Sequence, residues 1–120
     1  VYISAFKPLN PTGAHHATLH VEVAGAVPDG VTVCGVGGGG TRRLQGSGVG
    51  SEPNQLPAGV AMKVAKGEQL MVNLHLFNVS EQPLRGTSGV WIKRMNKADV
   101  QQEAEVILAG PPLWAEMRET

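Results

Sequence analysis

No stretch of eleven residues free of glycine and proline carries a convincing three-to-four apolar spacing, except near Asn96 to Leu108. Sixteen glycines and eight prolines make up one-fifth of the 120 residues. A chain punctuated this often cannot build long helices, because glycine raises the entropy cost and proline removes a donor. Alternating apolar runs between turns are what remains, and alternation is the signature of half-buried strands.

Several such runs are legible. Val1 to Phe6 is a β-rich opening that stops before Pro8 and Pro11. His16 to Ala24 alternates, with Ala17, Leu19, Val21 and Val23 on one face and His16, Thr18, His20 and Glu22 on the other. Val31 to Gly35 is short and apolar after a Pro28-Asp29-Gly30 turn. Val60 to Ala65 groups Val60, Met62 and Val64. Gln69 to Asn78 is the strongest strand signal, with Leu70, Val72, Leu74 and Leu76 predicted inward. Gly89 to Met95 places Val90 and Ile92 together, and Glu103 to Leu108 is a last strand candidate. The expected fold is an all-β antiparallel sandwich of about seven to nine strands, spanning residues 1–120 as one domain.

Composition excludes several function classes. Ten basic and ten acidic residues give a formal net charge of zero, against the basic excess of a nucleic-acid module. At 42% apolar and 17% charged residues, the chain is expected to fold and not to stay disordered. No apolar run approaches the length that spans a bilayer, so no membrane partner is expected. One cysteine, Cys34, precludes an internal disulfide and reads as a small hydrophobe. Nothing at the Val1 end reads as a leader, and compartment stays open at this point.

The glycine-rich segment around Gly35 to Gly50 lacks the Gly-Lys-Ser/Thr ending of a phosphate loop and reads as a flexible loop or close backbone crossing. Arg42 and Arg43 within it read as solvated charges. Asn78-Val79-Ser80 matches a glycosylation acceptor, a short motif. Glu103/Glu105 and Glu116/Glu119 read as solvated surface. No Gly-x-Ser-x-Gly elbow is present.

Chemistry therefore rests with four histidines: His15, His16, His20 and His75. Neighbours in a regular strand point to opposite faces, so His15 and His16 can share one metal only at an irregular strand entry or a bulge. Gly13 and Ala14 put them at such an entry. His16 and His20 share a face but stand about 13 Å apart along a strand, too far to bind one ion. His75 shares its face with Met71, Asn73 and Phe77. From the residues alone, His75 can be exposed, a satisfied core group or a ligand. Three imidazoles suit copper, and with a water they also suit a zinc hydrolase or lyase.

Four ordered segments add a resemblance. Tyr2-Ile3 followed by His15-His16, then Leu56-Pro57-Ala58-Gly59-Val60-Ala61-Met62-Lys63-Val64, then Val72-Asn73-Leu74-His75-Leu76, then Ser88-Gly89-Val90 follow in order. This set resembles the N-terminal copper domain of the copper type II ascorbate-dependent monooxygenases, the family of peptidylglycine α-hydroxylating and dopamine β-monooxygenases. The chain departs from the pattern at Ala17, where members often carry Met, and at Asn73, where they often carry Gln. The resemblance implies a jelly-roll sandwich and one electron-delivering copper on His15, His16 and His75. It leaves His20 without a ligand role; Met71 and Asn73, on the face of His75, are the expected neighbours of the site, with ordinary packing the other reading of Met71. Nothing here matches the family's second, oxygen-activating copper domain. The implied role is electron transfer or copper handling, with a second copper domain or redox protein as partner and a reductant such as ascorbate, in a secreted or periplasmic setting. A self-sufficient single-copper oxidoreductase acting on oxygen or peroxide is the alternative, beside the zinc enzyme.

Overall fold

The computed structural model describes residues 1–33 and 42–107. Eight strands lie among them: β1 (Tyr2–Leu9), β2 (Ala14–Glu22), β3 (Arg42–Gly48), β4 (Asn54–Gln55), β5 (Val60–Lys63), β6 (Gln69–Leu76), β7 (Gly89–Met95) and β8 (Gln102–Glu103). The expected helical spacing near Asn96 yields only a 3-10 turn, Lys97–Asp99.

Two sheets form. One runs β4-β1-β5-β8, with β7 also on β1, and the other runs β3-β2-β6. Every pairing is antiparallel except β5 with β8. Ile3, Phe6, Met62 and Val64 from the first sheet and its margin meet Leu19, Val21 and Leu44 from the second in one buried cluster. Val90 and Ile92 pack against it. Phe6 and Ile3 are almost wholly enclosed, and each such side chain contributes about 1.5–3 kcal/mol by burial.

The alternation read in β2 is present: Ala17, Leu19 and Val21 are buried in the core. Val23 lies past the strand end and is exposed. The opposite face is less solvated than its polarity suggests, since His20 and Glu22 are also buried.

Several expectations need correction. Residues 42–48 form β3, not part of a flexible loop. Backbone pairing with β2 needs no side chains, so Gly46 and Gly48 fit the ladder, and Leu44 anchors it in the core. Arg42 is accordingly not a free solvated charge: its guanidinium donates to the Lys63 carbonyl (2.7 Å) and pairs with Glu68 (3.4 Å). Of the run Val31 to Gly35, the described residues 31–33 form no strand, and Val31 and Val33 are fully exposed after the Gly30 turn. Cys34 and the glycine run after it lie outside the described residues.

The last strand candidate shrinks to Gln102–Glu103, paired parallel to β5. Glu103 accepts from the Tyr2 hydroxyl (2.9 Å) and faces Lys63 (3.6 Å), so it bridges strands although exposed. Finally, the β6 row expected inward is not in the core: Leu70, Val72 and Leu76 are exposed and Leu74 is half-buried. Leu70 and Val72 pair directly with Val21 and Leu19 and so share their face. Val21 is 1% exposed and Leu19 3%, yet Leu70 is 48% and Val72 43% exposed. The cover over β2 does not extend to β6, which among the described residues pairs only with β2 and lies at the edge of its sheet.

Candidate metal centre

The site begins with a turn. The Ala14 amide donates to the Pro11 carbonyl (2.9 Å), and Gly13 takes a positive φ of 88°. A side chain there is strained, and its Cβ would stand 2.9 Å from the Leu84 side chain. Across the sheet, the Phe77 amide donates to the Gly13 carbonyl (2.7 Å), which pins the end of β6 against the entry of β2.

The decisive irregularity follows at once. Ala14 pairs with Leu76 and His16 with His75, so His15 is an extra residue without a partner of its own. This is a β-bulge, and it breaks the rule that neighbours face opposite sides. His15 and His16 thereby turn toward one point, and His75 meets His16 directly across the ladder. The entry irregularity expected from Gly13-Ala14 is present as that bulge.

The three rings converge through the same atom. His15 Nδ1 lies 3.1 Å from His16 Nδ1 and 3.3 Å from His75 Nδ1. Two nitrogens bound to one ion at about 2.0 Å with tetrahedral angles stand about 3.3 Å apart. The observed separations match edges of such a polyhedron. The ring planes cross steeply, at 61°, 84° and 80°, with centroids 4.8–5.1 Å apart. Steep crossing lets three in-plane lone pairs meet without the rings stacking. His15 and His75 are exposed and His16 is half-buried, and their candidate ligand atoms fall within 4.8 Å of one another.

Electrostatics favour the neutral, ligating form of His16. Burial, then the positive forms of His75 and His15, then Arg43 hold it below the ordinary imidazole range. A proton placed between two of the nitrogens satisfies one pair and leaves the third lone pair facing charge. A metal cation satisfies all three, so the donor set fits a mononuclear site of the three-histidine kind.

His20 stands apart from this cluster, as the strand spacing predicts. It is buried, its Nε2 lies 2.7 Å from Thr18 Oγ1, and it pairs across the ladder with Met71. Asn73 pairs with Thr18, two residues along the ladder from the His16–His75 pair. Sequence reasoning missed β3 as a wall of the site. Gly48 lies opposite His16, and Asn10 holds that glycine by donating Nδ2 to its carbonyl (2.9 Å). No periodicity could reveal this, because glycines mark turns as readily as ladders.

No protein-family model, curated protein or solved structure matches this chain significantly. Among the described residues, no helix is long and apolar enough to cross a membrane.

Proposed function

We propose that the chain is a copper-binding domain with one mononuclear centre on His15, His16 and His75, acting in one-electron transfer or copper handling. The observation that carries this is the convergence of three Nδ1 atoms at spacings of 3.1 and 3.3 Å, made by the bulge at His15. Copper, when bound, supplies a one-electron couple between its cuprous and cupric forms. The protein's residues supply the rest. Three neutral donors, with no carboxylate among them, do not single out the divalent state. The open setting of the rings gives a reductant or partner protein direct access.

The ordered motif segments favour copper over zinc and suggest a jelly-roll wiring of the sheets. They also suggest an exported setting, a reductant such as ascorbate, and a second copper domain or redox protein that receives the electron. The test is metal analysis of protein purified without added metal, followed by electron paramagnetic resonance of the copper-loaded form. We expect one copper per chain and a nitrogen-rich type 2 spectrum without an intense thiolate band. Stoichiometric zinc with negligible copper affinity, or no metal at all, overturns the reading.

A further inference from the structure

We infer that Asn78 is the acceptor for an N-linked oligosaccharide, and that the sugar, rooted at the end of β6, covers the apolar residues exposed there. The inference uses the exported setting proposed above and is independent of the metal.

Asn10, Asn54, Asn73, Asn78 and Asn96 carry the asparagine amides of the chain, and two of them open an Asn-x-Ser/Thr sequence. Asn10-Pro11-Thr12 has proline in the middle, which bars modification, whereas Asn78-Val79-Ser80 has valine. The structure separates the two further. Asn10 is half-buried, its Nδ2 donates to the Gly48 carbonyl (2.9 Å), and its Oδ1 is buried. Asn78, Val79 and Ser80 are all exposed, just past the last residue of β6. The preceding Phe77 amide is pinned to the Gly13 carbonyl (2.7 Å), so the acceptor stands on a fixed base.

The local bonding suits the chemistry. Asn78 Oδ1 accepts from the Ser80 amide (2.9 Å), the turn an asparagine side chain makes with the backbone two residues on. The Ser80 hydroxyl stands 2.8 Å from the same oxygen. Donors on the carbonyl oxygen draw electrons from the amide and ease loss of a proton from its nitrogen. Nδ2 carries two hydrogens. One is donated to the Gln82 carbonyl (2.9 Å). Replacing the other leaves every bond of the turn in place. In the transfer, Nδ2 bonds to the anomeric carbon of a lipid diphosphate-linked oligosaccharide. The bond from that carbon to the phosphate oxygen breaks, the lipid diphosphate leaves with the electron pair, and the Nδ2 proton passes to a base of the transferase. Nothing is oxidised or reduced.

The position gives the modification a purpose. Charged residues and proline are devices that keep sheet edges from pairing with another chain, and the edge strand β6 contains none of them. Its end is apolar and open: Leu76 is 60%, Phe77 63% and Val79 84% exposed. Asn78 lies among these three in the chain. Contiguous exposed apolar surface invites association, and an oligosaccharide rooted there sets a bulky, solvated group over it.

The experiment expresses the full chain behind a secretion leader in yeast and reads the intact mass of retained and secreted protein, before and after enzymatic release of N-glycans. Wild type is compared with Asn78→Gln, Ser80→Ala and Ser80→Thr. Wild type and Ser80→Thr should carry one glycan per chain, removed by the enzyme, and Asn78→Gln and Ser80→Ala should carry none. Sedimentation then compares wild type with and without its glycan, and the stripped chain should self-associate at lower protein concentration. An unmodified wild type, or a glycan that persists in Asn78→Gln, overturns the acceptor assignment. Equal association of the stripped and modified chains overturns the covering role. Copper stoichiometry, measured on the same samples, tests the metal reading separately.

Discussion

Strand β2 holds histidines at its two ends, and the two ends treat the same side chain oppositely. At the entry, His15 is exposed and His16 half-buried, pushed together by a bulge and aimed with His75 at a common point. Four residues on, His20 is enclosed and hydrogen-bonded to Thr18, with its Nδ1 unpartnered. Residue type alone does not assign a role. Backbone irregularity at one end and burial at the other do so, and each predicts a different response to mutation.

The largest contrast lies in metal affinity. His15→Ala, His16→Ala and His75→Ala should each weaken copper by more than about 100-fold, beyond what loss of a supporting residue costs. His20→Ala should retain one copper per chain. Equilibrium competition with a chelator in one buffer reads all four variants. Copper loss in His20→Ala with retention in His15→Ala would break the contrast outright.

The bulge itself can be attacked without touching a ligand. Gly13→Ala puts a side chain at φ 88° and against Leu84, which should cost on the order of 1–2 kcal/mol. It should also loosen the entry, weakening copper less than any ligand deletion does. Denaturant unfolding of the apoprotein, set beside the chelator assay, separates the two effects. An unchanged stability would show that the turn is not held as described.

His20 offers a smaller effect of different form. Burial first, then Arg43, lowers its folded pKa, while Glu22 pulls the other way. A histidine whose folded pKa is depressed binds protons less readily folded than unfolded. Its contribution is therefore fully present above the unfolded value of about 6.5 and is lost as pH falls toward the folded pKa. His20→Gln should flatten the slope of apoprotein stability against pH in the acidic window below about 6.5. Denaturation midpoints measured across that window in both proteins test it, and parallel slopes would contradict the buried assignment. His16 titrates in the same direction, so copper affinity should fall as well when pH drops through the imidazole range.

The smallest effect belongs to the surface. Arg42→Gln removes a partly exposed ion pair with Glu68 and should cost under about 1 kcal/mol, less again at high salt. A larger loss would mean that its bond to the Lys63 carbonyl ties the two sheets more strongly than the ion pair suggests.

Much of this contrast was legible in the residues. Alternation in β2 identified Ala17, Leu19 and Val21 as core, and strand spacing separated His20 from His16. Adjacency of His15 and His16 demanded an irregular backbone, and Gly13-Ala14 marked where. What stayed hidden was register. Whether Gly46 and Gly48 lie in a loop or in a ladder depends on β2 offering a free edge, a tertiary fact with no local trace. The same limit misjudged β6: its aliphatic row shares the face of Leu19 and Val21, yet Leu70, Val72 and Leu76, predicted inward, are exposed, because whether that side is covered depends on the reach of the opposite sheet.

The end of β6 and the entry of β2 are joined by one backbone bond from Phe77 and by the meeting of His75 with a histidine sixty positions earlier in the chain. An ion bound there would act as a removable clasp across that whole interval. The fold's resistance to opening then becomes a function of metal concentration: about 2.7 kcal/mol is gained at a free concentration one hundred times the dissociation constant. Stripping the metal should release the edge strand before the core, and amide exchange in β6 should accelerate while β1 and β5 hold. A domain built this way reports whether it is loaded through how tightly one border of its sheet is fastened.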